Sequence, residues 1–195
     1  MKGMRTTAPG SIAPILQEKL TTPVPPAVQV ATPPVTETIF DAGPGEIFVM
    51  RNVANLVPPY TPDGGHHATS AALEFGILSL GVAHVVVMGH GRCGGIRSVI
   101  NSSAPLTHTD FIGSWMRAIN DVAAAVARGG MSDAEHERQI ERASIEHSLA
   151  NLRTFPWIRM KESQRELQLH GIWFDISTGE LHVRDDETAR WLQVG

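Results

Sequence analysis

The stretch His84–Ile96, HVVVMGHGRCGGI, restricts the fold more than any other part of the chain. Val85, Val86 and Val87 form a continuous β-branched run, where a strand with one wet face would alternate apolar with polar residues; the pattern is that of a strand buried on both faces of a parallel sheet. The run stops at a turn rich in glycine (Gly89, Gly91, Gly94, Gly95), and Ile96 onward has helical character. The turn therefore sits at the carboxyl edge of a central strand, which is where open α/β sheets bind ligands. It carries His90 and Cys93, the chain's single cysteine.

Two chemistries compete for this turn. His90 and Cys93 place an imidazole and a thiol close enough on one turn to share a Zn²⁺ ion, and nitrogen with sulfur is the donor set zinc prefers. Gly89, Gly91 and Gly94 also spell G-x-G-x-x-G between strand and helix, the fingerprint of a pyrophosphate cradle. A dinucleotide site wants a second strand ending in an acidic residue about 20 positions further on, and Asn101–Asp110, NSSAPLTHTD, has the composition of a loop. A third reading makes Cys93 a small buried hydrophobe and His90 a hydrogen-bonded turn residue.

The 195 residues suffice for one sizeable core. The net charge of −4 without clusters of Lys and Arg leaves no electrostatic footprint for nucleic acid or an anionic membrane, so neither partner is expected. One cysteine forms no internal disulfide, and neither a long apolar span nor a signal-peptide core occurs. A cytoplasmic location is expected.

Residues 1–35 read as an atypical Pro- and Thr-rich segment, with a short helix over Ser11–Leu20 and a strand over Ala27–Ala31, AVQVA. A second strand, Ile47–Met50, leads to a polar turn whose Arg51 and Asn52 are either a surface pair or supports of the site. His66 and His67 lie on a glycine-rich loop, where solvated histidines are the ordinary finding and metal ligation the alternative. Thr69 or Ser70 caps a helix over Ala71–Leu80 with Leu73, Ile77 and Leu80 facing the core. One helix is expected over Asp110–Arg128, and Ser132 with Glu135 forms a capping box for a long helix through about Arg153. Asp110, Glu135, Glu137 and Glu141 read as a solvated acidic face. A helix over Trp157–Leu167, an aromatic strand over Gly171–Ile176 and a hairpin return over Leu181–Val183 complete the chain.

Five stretches resemble the β-class carbonic anhydrases: Glu37–Tyr60, Ser70–Ile96, Asp110–Met116, Ala150–Pro156 and Leu169–Leu181. They span roughly residues 36 to 190 in that family's order and spacing, which is far more specific than a short motif. The resemblance implies an α/β fold: a mainly parallel four-stranded sheet flanked by helices, with strands near Val28, Ile47, Val85 and Trp173 and an added edge strand near Val183. It makes residues 36–195 one domain. It further implies zinc-dependent, reversible hydration of carbon dioxide to bicarbonate, with Zn²⁺ as cofactor, His90 and Cys93 as metal ligands, and a homodimer or higher homo-oligomer. A non-catalytic relative acting as a dimer partner or scaffold is the alternative, as is hydrolysis of CS₂ or COS by the same fold.

That family's first strand ends in Cys-x-Asp-x-Arg, which supplies a further zinc ligand and an Asp–Arg pair. Here the matching place reads QVATPPVT, and residues 6–50 contain no Cys, no Arg and, apart from Asp41, no Asp. Similarity is dense from Glu37 and absent before Pro34, an abrupt border that a misread start or an upstream change of reading frame produces readily. The coding DNA just upstream of codon 36 is expected to encode Cys-x-Asp-x-Arg in another frame. Inspection of those nucleotides checks this, and absence of the motif from every frame leaves true loss as the explanation.

Overall fold

The computed structural model describes residues 27–31, 36–101 and 111–194. Strands β1 (Ala27–Ala31), β2 (Ile47–Arg51), β3 (His84–His90), β4 (Gln168–Phe174), β5 (Leu181–Arg184) and β6 (Trp191–Val194) form one sheet in the order β2-β1-β3-β4-β5-β6. The first four positions in that order pair in parallel; β5 and β6 add antiparallel strands at the β4 side. The valine run lies in the interior as its composition requires: β3 sits between β1 and β4, and His84–Gly89 are all buried. The expected four-strand parallel core is present. One antiparallel strand was expected and the described residues have two, because β6 is half-buried to exposed at a sheet edge and its short WLQV run gives little strand signal.

Helices α1 (Thr36–Ile39), α2 (Ala68–Glu74), α3 (Gly94–Ile100), α4 (Ile112–Met116), α5 (Asn120–Ala125), α6 (Asp133–Leu152) and α7 (Pro156–Ser163) cover the sheet. Leu73 and Ile77 from the α2 region and Ile145, Leu149 and Leu152 from α6 pack against Val85, Val87, Leu169 and Trp173 on one sheet face. Phe40 meets Val86, Met88, Ile172 and Leu181 on the other. A third cluster joins Ala54, Leu56, Cys93, Ile96, Met116, Ile119 and Ile140 at the carboxyl edge of the strands.

Several boundaries differ from expectation. Helix α2 starts at Ala68 with His67 at its N-cap, so Thr69 is inside the first turn rather than capping it. It then widens into a π-turn over Phe75–Ser79, which rotates Leu80 off the core face and leaves it 40% exposed. The single helix expected over Asp110–Arg128 is broken into α4, a 3-10 turn at Arg117–Ile119, and α5; Asp110 itself lies outside the described residues. Helix α7 ends at Ser163, short of Leu167, which is buried at the entry to β4. Half of the expected capping box is present at α6: Ser132 Oγ accepts from the Glu135 N–H at 3.2 Å, while the Glu135 carboxylate turns to Arg138 and Gln139.

In the amino-terminal halves of β3 and β4, His84 Nδ1 lies 3.1 Å from His170 Nε2, and both residues are buried. Burial holds the His84 pKa below its ordinary 6.5. The folded protein takes up this proton less readily than the unfolded chain, so the contribution to stability is complete above the unfolded value and is lost as pH falls below it. The urea midpoint of the wild-type protein is expected to drop between about pH 7 and about pH 5 more steeply than that of His84→Phe, which lacks the titrating ring. Parallel pH dependences for the two proteins would contradict this.

Candidate functional site

The turn after β3 is set by an unusually close approach of α6 to the sheet. A Cβ on Gly89 would lie 2.8 Å from Ile145 Cδ1 and 3.0 Å from Asn55 Oδ1, and one on Gly91 would lie 3.2 Å from Trp173 Cζ2. A methyl at the first position would force Ile145 to shift, and the second is tight against an indole edge. Gly91 N–H donates to Phe174 O at 2.9 Å, which continues the β3–β4 pairing one residue past the strand. Arg92 then takes a positive φ of 59°, and the chain turns into α3 with Cys93 as its N-cap residue.

These constraints bring His90 and Cys93 together. His90 Nδ1 lies 2.9 Å from Gly91 O, so this nitrogen carries the proton and donates to the carbonyl. Nε2 is left as the basic nitrogen, the tautomer a metal-binding imidazole requires. A side-chain hydrogen bond with Cys93 is the largest influence on His90; it raises the imidazole pKa against the opposing effect of burial. Cys93 is only 3% exposed, enclosed by Ala54, Leu56, Ile96 and Met116.

The residue that sequence reasoning placed wrongly is Glu141. It was expected on a solvated acidic face, and it is 3% exposed. Its Oε1 accepts from the Cys93 backbone N–H at 3.0 Å and its Oε2 from the Trp173 indole N–H at 3.0 Å. Burial raises its pKa above the ordinary 4.5, and these two N–H groups work against that rise. Trp173 is held in turn, with the Arg142 guanidinium stacked 4.8 Å from its ring centroid. Glu135 and Glu137 are more exposed and pair with Arg138 and Arg97. The signal for Glu141 was its spacing: it shares one stripe of α6 with Ile145, Ser148 and Leu152, all buried.

The nucleotide reading of the turn fails on the same geometry. Gly91 N–H and Cys93 N–H, which a pyrophosphate would need, are taken by Phe174 O and Glu141. The Glu141 carboxylate already stands at the start of α3, the place an anion would occupy.

The other candidates make contacts of their own. Arg51 is exposed and pairs with Glu37 at 3.3 Å. Asn52 Nδ2 donates to Leu56 O at 2.7 Å, which shapes the loop after β2. His66 is exposed, and His67 Nε2 lies 2.6 Å from Asp63 Oδ1 on its own loop. Among the described residues no group of three or more His, Cys, Asp or Glu side chains is arranged to hold a metal ion, and no helix is long and apolar enough to cross a membrane.

A mainly parallel α/β sheet with a histidine and a cysteine on one turn at the carboxyl edge of an interior strand is the frame for comparison. The carbonic anhydrase family model matches residues 34–181. The chain is 38% identical over 136 residues to β-carbonic anhydrase 5, chloroplastic, of Arabidopsis thaliana, covering 68% of this chain and 44% of that protein. It is 35% identical over 166 residues to a carbonic anhydrase of Pseudomonas aeruginosa, covering 82% of this chain and 72% of that one. The chain spans about half the length of the plant relatives it matches. In fold it resembles the β-carbonic anhydrase CcaA (TM-score 0.78, 21% identity, 93% of this chain and 83% of that one). It also resembles the tetrameric β-carbonic anhydrases of Sordaria macrospora (TM-score 0.68, 24% identity, 93% and 89%). The chain belongs to the β class of the carbonic anhydrase family.

The close approach at Gly89 is directly testable. Gly89→Ala is expected to destabilise the protein by about 1–3 kcal/mol, the usual range for overpacking. Ile145→Val removes the Cδ1 atom nearest the new methyl, so it should recover part of the loss in the double variant, read from urea midpoints. A Gly89→Ala protein as stable as wild type would contradict the packing described.

Proposed function

We propose that the chain is a β-class carbonic anhydrase whose reversible hydration of carbon dioxide is slow, because its zinc site keeps His90 and Cys93 and has no third protein ligand among the described residues. The observation that carries this reading is the turn itself: His90 Nδ1 donates to Gly91 O, which leaves Nε2 basic, and Glu141 holds the Cys93 backbone N–H three residues on, at the carboxyl edge of β3. Nitrogen and sulfur donors suit zinc, but a catalytic zinc site has three protein ligands and one open position. Two donors do not meet that requirement, and no third is arranged with them among the described residues. Where the resemblance places Cys-x-Asp-x-Arg, this chain has QVATPPVT. Zinc is therefore held weakly, and the control of charge and position on which the rate depends is missing.

Exposed apolar side chains support a homodimer or a multiple of one. Val53, Tyr60, Phe75, Leu78 and Leu80 are each 40–50% exposed. The reading places the protein in the cytoplasm, where a lone thiol stays reduced.

The missing ligand favours a second reading, that of a non-catalytic partner for an intact family member. Stopped-flow CO₂ hydration on the purified protein, with zinc stoichiometry measured beside Cys93→Ala, separates the two. The expected result is less than one zinc per chain after dialysis and a slow hydration that Cys93→Ala abolishes. A rate fast enough to approach the range of well-evolved enzymes, about 10⁴ M⁻¹s⁻¹ or more in kcat/KM, would show that another group completes the site. No hydration above the Cys93→Ala background would establish the non-catalytic reading.

A further inference from the structure

We propose that Glu141 is a positioning residue: its carboxylate clamps the Cys93 backbone N–H to the Trp173 indole N–H and so fixes the turn that presents the Cys93 sulfur. The relevance of this clamp to metal binding rests on the reading of Cys93 as a ligand; the clamp itself does not.

Both groups that converge on Glu141 are donors with no acceptor of their own. The Cys93 N–H reaches Oε1 and the Trp173 Nε1–H reaches Oε2, each at 3.0 Å, in a buried setting. Only a side chain with two acceptor oxygens satisfies both. Glutamine offers one oxygen and one NH₂, so in either orientation its NH₂ confronts an N–H. A buried donor left facing another donor costs about the full desolvation of that group. Neither end of the clamp can yield easily. Glu141 lies on α6 one turn before Ile145, whose side chain fills the space left by Gly89. Trp173 is wedged between the Gly91 backbone and the Arg142 guanidinium. Cys93 is the first residue after a positive-φ position, with its carbonyl accepting from Arg97 N–H at 2.9 Å, so the Glu141 contact sets where α3 begins.

The test uses the full chain without added metal. Cys93 is the chain's single cysteine, so alkylation by iodoacetamide at fixed pH reports on this thiol alone, through its exposure and its thiolate fraction. Glu141→Gln is expected to alkylate roughly tenfold faster than wild type, the size of one lost charge-assisted hydrogen bond. Adding Trp173→Phe removes the competing donor and lets the glutamine oxygen turn to the Cys93 N–H. The double variant is therefore expected to return toward the wild-type rate, although it has lost an additional buried ring. Glu141→Leu, with no acceptor, should be fast whether or not Trp173 is changed. Both glutamine variants lack the carboxylate charge, so recovery reports geometry and neither charge nor general stability.

Equal rates for wild type and Glu141→Gln, or no recovery in the double variant, would overturn the clamp. Hydrogen exchange on the unmodified protein decides the matter if Glu141→Gln fails to fold. The Cys93 amide and Trp173 indole hydrogens should be protected far beyond exposed N–H groups, and free exchange of either overturns it. Co²⁺ is added last as a separate probe. A thiolate-to-cobalt absorption band that disappears in Cys93→Ala supports the metal reading. Its absence from wild type, with the alkylation pattern intact, removes that reading and leaves the clamp standing.

Discussion

The fold at the site depends on how closely α6 lies against β3 and β4. Three glycines permit it: a Cβ at Gly89 or Gly171 would press into Ile145 or Leu149 of the helix, and one at Gly91 would press on Trp173. Once the helix is seated there, Ile145, Leu149 and Leu152 close the core over Val85, Val87 and Leu169, and Glu141 is carried inward with them. A carboxylate would not be chosen for that depth by its own transfer free energy. It is tolerated because two N–H groups meet it and because the start of α3 favours negative charge.

The same packing accounts for the order of the site residues in space. Backbone pairing of β3 with β4 reaches from His84–Gln168 to His90–Phe174, and Gly91 N–H extends it by one more bond to Phe174 O. His90 thus leaves the sheet at a fixed height, and its ring is oriented by the next carbonyl. Cys93 is reached three residues later through a left-handed Arg92 and is held from above by α6. Each of these restraints is local to β3, β4 and α6.

Much of this was legible in the sequence, for physical reasons that differ from residue to residue. Val85, Val86 and Val87 announced a strand buried on both faces, and β3 is central and buried. Ser132 and Glu135 announced the start of α6, since a hydroxyl three residues before an acidic side chain has a local hydrogen bond to make. Features decided by tertiary packing were not legible. Nothing beside Arg117 marks the 3-10 turn that breaks the expected helix, because neither Pro nor Gly stands between Ser114 and Ala125. The π-turn at Phe75–Ser79 is equally silent. Glu141 was misread because its charge outweighed its spacing, although it repeats with Ile145, Ser148 and Leu152 at the helical interval.

The separation between what holds His90 and Cys93 and what a third ligand would need explains how such a chain keeps its fold. The place corresponding to Cys-x-Asp-x-Arg begins within β1, whose Val28–Ala31 pair with Val85–Met88 and whose Ala27–Ala31 pair with Ile47–Arg51. Those ladders are made by backbone groups and are indifferent to side-chain identity beyond its fit to the sheet. Replacing a ligand by an apolar or amide residue on that strand therefore leaves the sheet intact. The turn at His90 and Cys93 is fixed by Gly91 O, Glu141 and the glycine-lined seat of α6. Family membership read from residues 34–181 and the donor set at the turn are therefore separate physical questions.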